Sequence, residues 1–154
     1  MELLPNSLSF RVIATIDVES EAEIPAGFSG RVRLRVDGVL IYVAWYIDGL
    51  LDDPARRTPA YTRHRYDGRV KYEMHYRRGM LHDPEPDHPA VRGYFPNGGV
   101  HYEERYRNGL RHDGPDGTPA IRKWRPDGTL RRELHSEFGR PVKPPRVKHL
   151  AVRA

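Results

Sequence analysis

Cysteine is absent from the 154 residues of this chain, so disulfide bonds, thiolate nucleophiles and thiolate metal ligands are all excluded. No stretch approaches the roughly eighteen consecutive apolar residues that a membrane-spanning helix needs. The first 25 residues have neither the basic segment nor the continuous apolar segment of a secretion signal. We therefore expect a soluble protein of the cytoplasm that makes no membrane contact.

Hydrophobic residues are also scarce, at 38% of the chain, whereas charged residues make up 31%. The length supports one domain, and the polar composition is typical of a thin array with much surface per residue. The net charge of +5 is uneven, because residues 1–30 carry one basic and five acidic side chains, whereas residues 118–154 carry ten basic and three acidic. This difference in charge between the two ends favours an oriented encounter with a binding partner, and the basic end could bind an acidic protein surface or nucleic acid.

A period of thirty residues runs through most of the chain. Asp-Gly or Asn-Gly pairs begin at Asp37, Asp67, Asn97 and Asp127, and further glycine and Pro-Ala series keep the same spacing. An internal period of this length is typical of an array of stacked repeats. Tyrosines recur at the same interval in two columns, Tyr42, Tyr72 and Tyr102, then Tyr46, Tyr76 and Tyr106.

Each repeat has the pattern of two strands and two turns. A run rich in Tyr and Val leads to a Gly turn, a loop with Asp and Pro follows, and a shorter strand leads into the next Asp-Gly pair. Asn, Asp and Gly readily reach the positive φ angles of tight hairpin turns, and the prolines would break a helix. The sequence therefore predicts an all-β fold of tandem antiparallel β-hairpin repeats, forming an elongated twisted sheet or open solenoid with an N-terminal strand cap.

We divide the chain into an N-terminal β cap (1–36), the repeats (37–139) and a basic, Pro-rich tail (140–154), which together form one domain. The repeats comprise unit 1 (38–67), unit 2 (68–97), unit 3 (98–127) and a partial unit 4 (128–139). Residues 8–18 read as an extra strand of the cap. The strand at residues 39–47 is apolar on both faces, so we expect the cap to help cover it on both sides.

Alternation along the strand of unit 2 predicts one buried face, with Tyr72, Met74 and Tyr76, and one outward face, with Lys71, Glu73, His75 and Arg77. The register of the hairpin at Asn97 stays open between two alternatives. A two-residue turn places Phe95 and Val91 beside Tyr102, whereas a three-residue loop that uses Gly99 places Tyr94 there.

The succession Asn-Gly-Leu, His-Asp-Gly-Pro, Pro-Ala and a closing Asp-Gly, between Asn108 and Gly128, resembles the MORN-like repeats of YwqK-type, antitoxin-like proteins over about residues 38–139. In that family, YxNGxxHxxxGPA units are strung together as β-hairpins. The resemblance implies a bacterial or phage protein with a binding or neutralising role. Unit 1 departs from the pattern at Asp52, and unit 2 departs at residues 84–86. The Tyr-Gly-Trp spacing of membrane-associated MORN proteins is absent, so lipid contact is not implied.

The sequence offers no catalytic constellation. It has no G-x-S-x-G, Walker A or H-E-x-x-H motif, and Glu103 and Glu104 are strand neighbours whose carboxylates point to opposite faces. The pairs at 82–83 and 112–113, each a His followed by an Asp, could meet as a divalent metal site. We favour a turn-forming Asp and a hydrogen-bonded His that hold the loop, because unit 1 lacks the histidine. We therefore predict a non-enzymatic protein with no cofactor and no metal.

Three surfaces are candidates for a partner. We interpret the tyrosine columns as packing, with an exposed aromatic strip as the alternative. The outward positions of the repeats are the leading contact set. The basic C-terminal end is the candidate for nucleic acid, although its charges also suit a cap that discourages edge pairing. The partner-binding candidates are Trp45, His75, Arg77, Arg105, Arg107, Arg122, Trp124 and Arg131.

These patterns predict a protein-binding repeat scaffold, namely a phage or bacterial accessory protein that inhibits or neutralises a macromolecular target. The alternatives are a nucleic-acid-binding protein that uses its basic C-terminal region, and a structural or assembly component, such as part of a virion, that self-associates. Salt separates the first two, because phosphate-driven binding weakens steeply with ionic strength, whereas a specific protein interface responds less.

Overall fold

The computed structural model describes residues 14–145. The predicted cap strand at residues 8–18 therefore lies partly outside the described residues, as do Arg146 and Lys148 of the basic tail. A short 3₁₀ helix spans Glu21–Glu23. The strands are β1 Thr15–Val18, β2 Gly30–Val36, β3 Val39–Ile47, β4 Leu50–Leu51, β5 Tyr61–His64, β6 Val70–Met74, β7 Tyr76–Arg77, β8 Met80–Leu81, β9 Val91–Tyr94, β10 Val100–Glu104, β11 Tyr106–Arg107, β12 Leu110–Arg111, β13 Ile121–Trp124, β14 Leu130–Glu137 and β15 Arg140–Val142.

Most of these strands form a single open sheet in the order β1-β2-β3-β5-β6-β9-β10-β13-β14-β15, with β4 beside the end of β3. Every pair is antiparallel except β1 and β2, which run parallel. The hairpins β5–β6, β9–β10 and β13–β14 repeat along the sheet. The predicted all-β fold of tandem antiparallel hairpins is therefore confirmed. Within residues 14–145, no helix has the length and apolar character needed to cross a membrane.

A second row of short hairpins runs beside this sheet. The pairs β7–β8 and β11–β12 are two-stranded sheets of their own, each closed by a two-residue turn in which both residues have positive φ, such as Arg78 (48°) and Gly79 (77°). The amide of Gly79 donates to the carbonyl of Leu51 at 2.8 Å, and Gly109 repeats this bond to Leu81. Residues 140–142, assigned by sequence to the tail, form β15 and close the last of these hairpins.

The Asp-Gly and Asn-Gly pairs do not all form the same turn. At Asp37-Gly38 both residues have positive φ and the turn has two residues, as predicted. At Asn97-Gly98, by contrast, Gly98 donates to the Phe95 carbonyl and Phe95 donates to the Gly99 carbonyl, which encloses a three-residue loop. A bulge follows, and Gly93 stands opposite Tyr102. Neither predicted register is correct, because the bulge shifts the pairing beyond the turn.

The best-packed core lies at the N-terminal end of the array. The segment between β1 and β2 crosses over the sheet, as a parallel connection must, and its Ile24 and Phe28 pack against the buried core of β1, β2 and β3. One face of β3 is thus covered by the predicted cap. Val43 and Trp45 on its other face are half-buried. The buried core residues are Val18, Val32, Leu34, Ile41, Tyr42 and Ala44.

Candidate functional site

An aspartate that recurs every thirty residues joins each unit to the next. In unit 2, Asp83 Oδ1 accepts hydrogen bonds from the amides of Ala90, at 2.8 Å, and Tyr106, at 2.9 Å. The Asp83 amide in turn donates to the Tyr106 carbonyl at 2.8 Å. One residue therefore holds its own loop and the start of the next short hairpin. Asp53 and Asp113 repeat all three bonds, and we call these three residues the aspartate clasps.

The second carboxylate oxygen of each clasp faces a cationic or histidine side chain 22 residues later. Asp83 Oδ2 lies 3.1 Å from Arg105 Nη1, and Asp53 Oδ2 lies 2.6 Å from His75 Nδ1. Burial raises the pKa of Asp83 above its usual range, while the Tyr106 amide and Arg105 act in the opposite direction. The polar groups around each clasp are therefore paired with one another.

His75 and Arg105 are therefore not outward contact residues, and the prediction that they are is wrong. Their side chains are only 3% and 5% exposed. Alternation placed them on the correct face of the strand, but the loops that follow the clasps cover that face. Arg105 Nη1 also donates to the carbonyl of Pro86 in such a loop, and His75 packs edge-on against His88.

The face beneath these loops, here called the loop face, carries a row of alternating charges across successive strands. Arg92 lies opposite Glu73 on one side and Glu103 on the other. Glu103 binds both Arg92 and Arg122, at 2.8 and 2.9 Å. Arg122 also lies 5.3 Å from the Trp124 ring centroid. Opposite charges across strands stabilise a sheet, so Arg122 and Trp124 are half-buried parts of it and not a free patch.

The other sequence-predicted contacts are dispersed. Arg77 and Arg107 are exposed and line one groove of about 350 Å³ between successive loops, together with Pro84 and Tyr106. Trp45 is half-buried under the guanidinium of Arg31, at 5.5 Å. Arg131 is exposed on β14. The structure thus brings together Arg77 with Arg107, and Arg122 with Trp124, but not the eight candidates as one surface.

His82 and His112 hold loops, as their favoured interpretation stated. His82 Nδ1 accepts from the amide of Asn108 at 3.2 Å, and His112 Nδ1 lies 2.8 Å from the Asp113 carbonyl. Burial, with Arg77 and Arg107, lowers the pKa of His82. No group of three or more metal-ligating side chains occurs within residues 14–145.

Glu103 and Glu104 point to opposite faces, as predicted from their positions on one strand. Glu103 joins the charge row of the loop face, while Glu104 accepts from the hydroxyl of Tyr106, at 2.8 Å, and binds Arg111, at 2.9 Å. Both carboxylates are engaged in ion pairs. The two carboxylates therefore do not converge.

The opposite side of the sheet, here called the tyrosine face, carries aromatic rings on neighbouring strands. Tyr42 and Tyr61 have ring centroids 4.9 Å apart, and Tyr61 and Tyr72 stack at 6.0 Å. Burial raises the pKa of Tyr61 to about 12 and also raises that of Tyr102. The interpretation of the columns as packing is confirmed for Tyr42, which is 2% exposed. The remaining column residues, which are only half-buried, are Tyr46, Tyr72, Tyr76, Tyr102 and Tyr106.

The covering of the tyrosine face changes along the array. Over unit 1 the crossover between β1 and β2 lies on it, and burial together with Tyr46 and Glu21 raises the pKa of Tyr42. Over units 2 and 3, a groove of about 330 Å³ opens between Met74, Val91 and Tyr102. Sequence reasoning missed this difference, because the period that reveals the tyrosines says nothing about where the crossover runs.

Comparison with known proteins gives no family model, no curated protein and no solved structure that matches this chain. Its function is therefore inferred from the geometry of the molecule itself.

Proposed function

We propose that this chain is a non-enzymatic, protein-binding repeat scaffold whose contact surface is the tyrosine face of units 2 and 3. The supporting observation is that the tyrosines of this face are left half-exposed beyond the crossover. Tyrosine gives a large contact area at low cost in side-chain entropy, and it is enriched where proteins bind one another. The carboxylates that suggested chemistry are held in clasps and ion pairs, and His82 and His112 are bound to backbone groups.

Nucleic acid is the weaker candidate. Trp124, the aromatic that sequence reasoning proposed for base stacking, is half-buried beside Arg122, and the Arg122 guanidinium binds Glu103. A stacking platform needs a free ring face, and the guanidinium of Arg122 lies over the ring of Trp124. The resemblance to MORN-like, YwqK-type proteins supports the narrower proposal of a bacterial or phage accessory protein that inhibits or neutralises its target.

Site-directed crosslinking tests the proposal, because the chain has no cysteine and any introduced thiol is unique. A photoactivatable label at Lys123→Cys reports on the groove of the tyrosine face, and the same label at Arg107→Cys reports on the groove between the loops. In a nuclease-treated lysate of the cell that expresses the protein, we expect one stoichiometric protein adduct from position 123 and little from position 107.

The adduct should persist in high salt, because a specific protein interface depends less on ionic strength than phosphate contacts do. Equal labelling from both positions would contradict the choice of surface. Recovery of nucleic acid from samples without nuclease, and of no protein adduct with it, would overturn the protein-binding proposal.

A further inference from the structure

The crossover between β1 and β2 is a segment of the chain itself that lies on the tyrosine face. It carries three acidic residues, Glu19, Glu21 and Glu23, followed by Ile24 and Phe28. The two apolar side chains pack against the core that includes Tyr42 and Ala44. Glu21 acts on the pKa of both Tyr42 and Tyr46, after burial as the largest cause. An acidic segment with spaced apolar residues therefore already lies on unit 1 of this face.

The backbone of the crossover also takes the place of a repeat. The Phe28 carbonyl accepts from the amide of Gly49 at 2.9 Å. In later units, the amides of Gly79 and Gly109 donate in the same way to Leu51 and Leu81 of the preceding short hairpin. The crossover therefore forms the same backbone hydrogen bond as a repeat unit, in addition to packing its apolar side chains on the face.

The covered and uncovered parts of the face are continuous. Tyr42 contacts Tyr61, which stacks on Tyr72. Beyond Tyr72, the ring of Tyr102 lies over Gly93, where an added Cβ would come within 2.2 Å of it. An apolar and aromatic strip therefore runs from beneath the crossover into the open groove, with Val91, which is 4% exposed, at its floor.

Charge around the open part is basic. Lys123 of unit 3 stands opposite Tyr102, and at the two edges Arg63 of unit 1 stands opposite Tyr72 and Arg132 of unit 4 stands opposite Lys123. Among residues 14–145, none of these three cations lies within 4.0 Å of a carboxylate. The acidic residue of this groove, Glu104, is paired with Arg111. The open surface is complementary to an acidic segment, as electrostatic steering of a partner requires.

We infer that the open tyrosine face of units 2 and 3 binds an acidic peptide segment of a partner protein, with apolar residues spaced as in residues 19–29 of this chain. This inference rests on the proposed function and specifies its ligand. The partner's segment covers units 2 and 3 of the face, just as the crossover covers unit 1. Its carboxylates meet Arg63, Lys123 and Arg132, and its apolar side chains enter the groove beside Tyr102.

The direct probe is a synthetic peptide with the sequence of residues 19–29 and blocked ends. It is titrated to about 2 mM into the full-length, ¹⁵N-labelled protein, a range that detects affinities of a few kcal/mol. We expect saturable shifts at the amides of β6, β9, β10 and β13. A control peptide with its three glutamates changed to glutamine should bind roughly five-fold or more weakly, because three charge contacts are lost.

Two surface variants localise the binding. Lys123→Glu should weaken it several-fold, whereas Arg107→Glu, in the groove between the loops, should leave it unchanged. Absence of shifts, equal binding of the glutamine peptide, or shifts confined to the loop face would overturn the inference. So would tighter, steeply salt-dependent binding of an oligothymidine to the same amides. If position 123 crosslinks a protein but the peptide does not bind, the inference falls and the proposed function stands.

Discussion

At the scale of single residues, the aspartate clasps decide how one unit attaches to the next. Each clasp accepts two backbone hydrogen bonds on one oxygen and faces a basic or histidine side chain with the other. A buried ion pair gains little net stability over apolar packing, but removing one partner leaves the other uncompensated. The main effect of the clasps is therefore to fix the register between units, and their net contribution to the free energy of unfolding is small.

Removing the clasp of unit 2 should be costly. Asp83→Ala leaves the amides of Ala90 and Tyr106 without an acceptor and Arg105 buried without a counter-charge, so we expect a loss of about 3–5 kcal/mol in the free energy of unfolding. Asp83→Asn keeps one acceptor oxygen and should cost less, about 1–3 kcal/mol. Urea denaturation measures both. Asp87→Asn is the control, since Asp87 is 74% exposed, and a comparable loss there would contradict the role of the clasp.

Gly93 is required by a close approach and not by its φ angle. An added Cβ would lie 2.2 Å from the Tyr102 ring, so Gly93→Ala should destabilise the protein by about 1–3 kcal/mol through overpacking. In a Tyr102→Ala background the same change should cost much less, because the ring is gone. Thermal unfolding of the four proteins in this double-mutant cycle measures the coupling. Equal costs in both backgrounds would show that the ring is not the reason.

Histidines give the protein a predictable response to mild acid. Burial lowers the pKa of His64, His82 and His88 below the usual value of 6.5. The unfolded chain then binds more protons than the folded chain just below pH 6.5, so stability falls as the pH decreases through that range. The urea midpoint should drop between pH 7.5 and 5.5, and His88→Gln should reduce the drop. A midpoint that rises over this range would reverse the expected sign.

At the scale of elements, the short hairpins carry strain that could be relieved. Arg78 has a φ of 48°, in the left-handed region that costs most residues about 1–2 kcal/mol. Asn108 occupies the same turn position one unit later, also at 48°, and asparagine tolerates this region well. Asparagine, which unit 3 has at this turn position, therefore fits the position better than the arginine of unit 2.

Arg78→Asn should stabilise the protein by about 0.5–1 kcal/mol, because it removes most of the strain and keeps the backbone bond from residue 78 to Asp52. The gain is measured as a higher urea midpoint with an unchanged slope. Arg77→Asn is the matched control, since Arg77 lies in extended backbone of β7 and gains nothing from asparagine. A larger gain at position 77 than at position 78 would contradict the argument.

Most elements of the fold follow from the thirty-residue period, but their pairing and covering do not. Alternation correctly separated Tyr72 from Glu73, and Glu103 from Glu104. It placed His75 on the correct face but did not predict its burial, because solvent exposure depends on a loop that folds back over that face. The register at Tyr102 failed because a bulge, which carries no strong sequence signal, shifts the strand. For the site, the sequence identified the tyrosine columns, and only the path of the crossover shows which part stays open.

At the scale of the whole molecule, the array is held together by contacts between neighbouring units. Gly93 pairs with Tyr102 across adjacent units, the Asp53 carboxylate accepts from the amide of Tyr76, and the amide of Gly79 donates to the carbonyl of Leu51. Each of these links spans one unit boundary. A structure built this way behaves as a one-dimensional array, in which stability is a sum of unit and interface terms. One unit can then be removed if the period is kept.

Deleting the thirty residues 74–103, which joins Glu73 to Glu104, should therefore leave a folded protein. Glu104 takes the place of Met74 on the tyrosine face, and Arg105 and Tyr106 take the places of His75 and Tyr76 at the clasp of Asp53. The unfolding enthalpy should decrease roughly in proportion to chain length, with a single cooperative transition in calorimetry.

Deleting one residue more, 74–104, is the matched control. It puts Arg105 in the place of Met74 on the tyrosine face and Tyr106 in the place of His75, since a one-residue slip exchanges the faces of a strand. That variant should lose its cooperative transition, and equal stability of the two deletions would mean that the period does not set the register.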